Sequence, residues 1–264
     1  MANKSKIEAS ARKSIKSFEE KQNIADHKAV IRAKDNRLAL IISIGLFAAA
    51  LLSQFVYFSF GPGISPTRCI TLTPTPQETG PDGKPKPNLV PDAAISQCKD
   101  WTGTITINKK PLQFTLWGEK APQAVANFID LSSVDFFTGN NCHRLVTSGI
   151  YVLQCGDPGG TGTGTPGYTF GPIENAPAGS TPTYKKGWLA MARSANSASS
   201  QGSQFFIVYK DSKIPSDAAG GYTVFGEITS GLDTLDNVIK AGVVGGGSDG
   251  KPKVPAVINS TKVN

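Results

Sequence analysis

The sequence predicts a mainly β domain, a closed antiparallel barrel capped by two helices, preceded by one transmembrane helix. Three observations predict it. An uncharged apolar run extends from Leu38 to Phe60, a proline-dense stretch follows, and from about residue 98 short alternating segments are interrupted by two helical ones.

Residues 1–37 form a charged tail without Gly or Pro, and its cations, from Lys4 to Arg37, supply much of the formal net charge of +7. Aromatic residues are not interleaved with them, so a base-stacking platform is not expected and no nucleic-acid partner is assigned. The tail reads as a solvated, partly helical cytoplasmic segment. The next run, LALIISIGLFAAALLSQFVYFSF over residues 38–60, has no charged residue and no polar face. At about 1.5 Å per residue it covers a hydrocarbon core of about 30 Å, so the lipid bilayer is its expected partner. Cations precede the run and only Arg68 follows closely, which places the N-terminus in the cytoplasm and the rest outside the plasma membrane. A cleaved signal peptide is the competing reading, but such peptides total about 15–30 residues, shorter than the tail alone.

Residues 61–97 carry Pro62, Pro66, Pro74, Pro76, Pro81, Pro85, Pro87 and Pro91. They read as an extended spacer outside the membrane. Four cysteines, Cys69, Cys98, Cys142 and Cys155, fall on the outer side, and an even count there suggests disulfides. Cys142 and Cys155 sit at the two ends of one predicted hairpin, which favours a 142–155 bridge over two buried thiols. A pairing of Cys69 with Cys98 would close the spacer into a loop. No C-x-x-C is present and His143 is the only outer histidine, so no metal site is expected.

Residues 98–264 form the folded domain. Thr104–Ile107 and Leu112–Leu116 alternate in the manner of strands around a Lys109-Lys110 turn. Ala121–Leu131 reads as a helix opened by Pro122. Further strands are predicted over 142–146, 151–154, 188–192, 203–209, 223–228 and 257–263, with a second helix over 232–240 before the glycine-rich loop 242–247.

Two blocks carry the chemistry: CHRLVTSGIYVLQCGDPGGTGTGTPGY, residues 142–168, and WLAMARSANSASSQGSQFFIVY, residues 188–209. With GYTVFGEI, residues 221–228, they resemble the cyclophilin family of peptidyl-prolyl cis-trans isomerases, most of all its membrane-anchored actinobacterial members. The resemblance covers about residues 99–264. It implies an eight-stranded antiparallel barrel with a groove for an X-Pro segment. Arg144 matches the catalytic arginine and Gln154 the residue that orients it. Val152 and Phe206 match walls of the proline pocket, with Tyr151 beside them. Gln204 and the backbone around Ala192 and Arg193 match groups that hold the peptide. Arg193 stands where Asn is usual, Tyr222 where His is common, and the loop between Arg144 and Gln154 is two residues longer than the common form.

The residue types suit that reaction. Rotation about an X-Pro bond faces a barrier of about 18–20 kcal/mol from amide resonance. No bond breaks, so no nucleophile, metal or cofactor is required. A fixed guanidinium donates better to the pyramidal prolyl nitrogen of the twisted transition state than to the planar ground state. Competing readings are weaker. His143 lacks a triad partner, since His27 lies across the predicted membrane and no Gly-x-Ser-x-Gly elbow occurs. It reads as a packed strand residue. Gly162-Thr-Gly164-Thr-Pro-Gly167 matches a dinucleotide fingerprint in form, but Pro166, Pro172 and Pro177 forbid the helix that fingerprint needs. The expected function is an isomerase acting on proline-containing polypeptide clients outside the membrane and assisting their folding, with a monomer favoured. The alternative is a catalytically weak peptide-binding or chaperone module on the same fold at the cell envelope.

Overall fold

The computed structural model describes residues 43–45, 50, 52–54 and 89–264. The chain divides into two units, Met1–Ser65 and Pro66–Asn264. In the first, every described residue is helical. The expected tail 1–37, most of the span 38–60 and most of the spacer 61–97, Cys69 included, lie outside the described residues. Among the described residues no helix is long and apolar enough to cross a membrane.

The second unit opens on a single 3-10 turn, Ala93–Ser96, capped by the Asp92 side chain, which accepts from the Ala94 N–H at 2.9 Å. Strands β1 (Asp100–Ile107) and β2 (Lys110–Trp117) form the first hairpin, with Asn108 and Lys109 at its turn in the left-handed region. Helix α1 (Pro122–Ser133) follows. Then come β3 (Arg144–Val146), β4 (Val152–Cys155), β5 (Thr183–Tyr184), β6 (Trp188–Met191), β7 (Phe205–Val208), β8 (Ser212–Lys213) and β9 (Val224–Ser230). A 3-10 turn, Leu232–Leu235, leads into α2 (Asp236–Ala241), and β10 (Asp249–Gly250) and β11 (Ile258–Val263) complete the unit. Nine strands make one antiparallel sheet in the order β10-β3-β4-β7-β6-β9-β2-β1-β11, and β5 pairs with β8 apart from it.

The sheet corrects the expectation of a closed eight-stranded barrel. It curls into a half-barrel whose outermost strands, β10 and β11, do not pair with each other. Only one isolated bridge, Asn141 to Val257, and the bonds around it join the chain before β3 to the chain before β11. The physical reason is length. β10 has two residues and β3 three, too few to carry a ladder around the gap.

Side chains on the two faces of β7 divide the core. Phe205 and Ile207 enter the main cluster, while Phe206 and Val208 enter a second one with Val146, Val152, Tyr184, Ala190, Ile214 and Val224. That division is the strand period of two. Phe128, on the inner face of α1, centres the main cluster, with ring centroids of Phe114, Phe137, Phe205 and Phe225 at 5.1–5.7 Å. The second cluster supplies the apolar wall of the site described below.

α1 begins at Pro122 with Ala121 as N-cap and no local side-chain cap, leaving the first N–H groups without a helical partner. A distant residue fills that role. The buried Glu174 accepts the Gln123 N–H at 3.0 Å and the Ala124 N–H at 2.9 Å, one on each carboxylate oxygen. Burial nevertheless pushes this carboxyl up to about 7, against the opposing pull of those two N–H groups. A carboxyl whose folded pKa is raised contributes stability that is present in full below its unfolded pKa and is lost as pH rises through its folded pKa. The stability advantage of wild type over Glu174→Gln is therefore expected to shrink between about pH 4.5 and pH 7, by up to about 3 kcal/mol. Urea unfolding across that range checks it, and an advantage that grows with pH would contradict it.

Candidate active site

Arg144 opens β3 and stands directly across the hairpin from Gln154 on β4. Its Nη1 donates to Gln154 Oε1 at a long 3.4 Å. Gln154 Nε2 donates in turn to Gln204 Oε1 at 2.9 Å, and Gln204 Nε2 donates to the carbonyls of Gly162 and Gly164 at 3.0 and 2.9 Å. A chain of amides thus runs from the arginine to the glycine-threonine loop, each orienting the next.

That loop is folded around Asp157. Its carboxylate is fully buried and accepts the N–H groups of Gly159 at 2.7 Å, Thr161 at 2.9 Å and Gly162. Burial pulls this carboxyl up, but the N–H groups of Gly159, Gly162 and Gly164 hold it below the usual carboxylate range. Glycine is required at position 164, where a Cβ would approach Asp157 Oδ1 to 1.9 Å. His143 packs beside the loop, half-buried, and burial lowers its imidazole below the ordinary value. No helix follows the loop, so the glycine spacing serves close backbone approach.

Beside Arg144 lies a cavity of about 140 Å³. Ile150, Val152, Phe206, Ile214 and Tyr222 form its apolar wall, with Arg144, Gln154, Ala192 and Arg193 completing the lining. Drug-sized ligands occupy about 300–1,000 Å³, so this cavity suits one ring or side chain. An adjoining, more polar cavity of about 400 Å³ shares Gln154, Ala192 and Arg193 and adds Gln204 and the loop Gly162–Thr165. The two cavities form a groove that can take an extended peptide with one residue inserted.

The residues singled out in the sequence fall in this groove with one exception. Tyr151 lies outside the lining of both cavities. Its ring sits edge-on to Tyr209 at 6.0 Å, with Lys210 Nζ 4.3 Å above it. Arg193 is in the groove, but its side chain is only 1% exposed and offers nothing to a ligand. Nε donates to Gly221 O, Nη1 to Ser194 O and Asp217 Oδ2, and Nη2 to Asp217 Oδ1 and Gly220 O, at 2.6–3.1 Å. Every donor is used. The guanidinium pins the 217–222 loop and stacks 4.8 Å from the Tyr222 ring, so Arg193 shapes the apolar wall from behind.

Sequence reasoning missed Ile150, Ile214 and Asp249. The first two lie in loops without periodicity. Asp249 binds Arg144 through both carboxylate oxygens, at 2.7 Å to Nε and 2.7 Å to Nη2, across 105 residues of sequence. No local pattern announces such a pair. The Asp249 hydrogen bond raises the guanidinium pKa further, and Arg144 holds the Asp249 carboxyl below the usual range.

At the open end of the same hairpin, away from its 147–151 turn, Cys142 and Cys155 form a disulfide, as their placement at its two ends predicted. Cys98 is half-buried and unbridged among the described residues. No group of three or more His, Cys, Asp or Glu side chains suited to a metal occurs among the described residues.

Comparison with known proteins agrees with this geometry. The chain is 45% identical over 167 residues to a probable peptidyl-prolyl cis-trans isomerase B of Mycobacterium tuberculosis, covering 60% of this chain and 52% of that one. It is 39% identical over 133 residues to peptidyl-prolyl cis-trans isomerase B of Bacillus subtilis, covering 50% of this chain and 86% of that one. The chain thus spans about half the length of its mycobacterial relatives. Among solved structures, a Cryptosporidium parvum cyclophilin type peptidyl-prolyl cis-trans isomerase, crystallised in the presence of the dipeptide Ala-Pro, superposes with a TM-score of 0.52 at 30% identity. The superposition covers 62% of this chain and 98% of that one. Residues 102–263 match the family described as cyclophilin type peptidyl-prolyl cis-trans isomerase/CLD, and the chain belongs to that family.

Proposed function

We propose that the chain accelerates cis-trans rotation of X-Pro bonds in polypeptide clients, with Arg144 as the catalytic residue. One observation carries the reading: a guanidinium held by a carboxylate and an amide stands at the rim of an apolar cavity sized for a single ring. The proline ring seats against Val152, Phe206 and Tyr222. Burial of the ring excludes water from the bond that turns, which strengthens the arginine's hydrogen bond to the prolyl nitrogen as its lone pair develops. Gln204 and the backbone near Ala192 hold the residues before proline. The test is NMR exchange spectroscopy on a short Ala-Pro peptide with the full-length chain in detergent. Accelerated exchange supports the reading. Peptide-induced shifts without exchange would favour the alternative, a peptide-binding module at the cell envelope.

We propose further that residues 38–60 anchor the chain in the plasma membrane, with residues 61–97 as spacer and the isomerase domain outside. The support is the uncharged 23-residue run and the cations before it. In intact spheroplasts the domain is expected to be digested by added protease while an N-terminal tag survives. Survival of both overturns the topology.

A further inference from the structure

We propose that Asp249 is the positioning residue of the catalytic guanidinium, the group that aims Arg144 at the turning bond. The inference rests on the isomerase reading above and adds to it a residue outside the two motif blocks.

A guanidinium carries five N–H donors in a rigid plane. In Arg144, Asp249 takes the Nε donor and one Nη2 donor at 2.7 Å each, a two-point contact that fixes the plane as well as the position. Gln154 holds Nη1 at 3.4 Å, near the limit of a hydrogen bond. The tight restraint is therefore Asp249, and one N–H on each of Nη1 and Nη2 is left for a substrate. Without Asp249 the arginine is a flexible chain held by one long contact, with its side chain 43% exposed.

Asp249 is itself firmly placed. It pairs with Val146 and Gly250 with Leu145 in the β10–β3 ladder, beside the arginine's own strand. Thr147 N–H donates to Ser248 O at 2.8 Å, and Val244 N–H to Lys251 O at 2.8 Å, so the chain is tied on both sides. The glycine-rich turn between α2 and β10 returns the chain to that position. A half-exposed ion pair contributes little to stability, about 0–1 kcal/mol. Its contribution here is orientation, and small misplacements of a catalytic group cost rate steeply.

The experiment compares wild type, Asp249→Asn, Asp249→Ala and, as a control, Asp236→Asn, which removes the exposed ion pair to Lys240. Each full-length chain is measured for peptide exchange rate, peptide dissociation constant, melting temperature and the Nε–H resonance of Arg144, assigned by its absence in Arg144→Ala. Both Asp249 variants are expected to lose about 10-fold to 100-fold in exchange rate, with peptide affinity within about twofold and melting little changed. The Arg144 Nε–H signal should shift and exchange faster with water. Asp236→Asn should match wild type throughout. Exchange within about twofold of wild type in both Asp249 variants, or an unmoved Nε–H resonance, overturns the proposal while leaving the isomerase reading intact. A wild type that gives no exchange overturns both.

Discussion

Arg144→Ala is expected to reduce the cis-trans exchange rate by about 100-fold or more, with peptide binding largely kept. The argument separates two roles of the groove. Binding comes from the apolar wall of Val152, Phe206, Ile214 and Tyr222, whose side chains the substitution leaves in place. Rate comes from a donor that gains strength only as the prolyl nitrogen leaves the amide plane, and only Arg144 offers it at the rim of that cavity. A loss confined to the transition state lowers kcat and kcat/KM together and leaves affinity alone. Stability should barely move, because the ion pair lost is half-exposed and the freed Asp249 carboxylate can be solvated. Arg144→Lys is expected to recover little. An ammonium is a point charge that cannot span both Asp249 oxygens and still present donors to the substrate in a fixed plane. Exchange in Arg144→Ala within about threefold of wild type would remove the arginine from the mechanism. The groove would then act through the apolar pocket alone.

The parts of this site that were legible in the sequence are those with a short-range signature. A strand is expected over residues 203–209 with Phe206 as a pocket wall, and the structure puts Phe206 on the groove side and Phe205 in the main core. The hairpin carrying Arg144 and Gln154 could be read because a strand, a short loop and a strand lie within one stretch, and the bridge across its ends followed from the same placement. What escaped are contacts between residues far apart. Asp249 meets Arg144 from 105 residues away, and Glu174 caps α1 from about 50 residues away. Neither has a spacing to recognise, since each position is set by the route of the chain. β5, β8 and β10 have two residues each, too few for any period to show. Closure of the barrel failed as an expectation for the same reason. The eight longer strands could be read from the sequence, but the two-residue strands could not, and whether the last strand meets the first depends on how long the edge strands are.

Replacing Cys142 and Cys155 together by alanine is expected to destabilise the domain by about 3 kcal/mol, the loop-closure contribution for a loop of this length. For a domain of this size that corresponds to a melting temperature lower by roughly 10 °C. The bridge acts where the sheet is weakest. β3 has three residues and lies next to the two-residue edge strand β10, so few ladder bonds hold it in place. Both sulfurs are buried in the main core, so the bridge also joins this hairpin to the phenylalanine cluster. Catalysis at a temperature well below melting should suffer much less, within about threefold. The register of Arg144 opposite Gln154 is set by backbone pairing, and Asp249 holds the guanidinium independently of the bridge. Thermal unfolding with and without reductant, beside exchange rates at low temperature, separates the two effects. A double variant that melts within about 2 °C of wild type would show that the bridge constrains nothing the ladder does not already hold. One that melts normally but loses exchange would make the bridge part of the catalytic apparatus. A bridge that matters for stability also supports the proposed location of the domain, because such bonds form and persist on the oxidising side of a membrane.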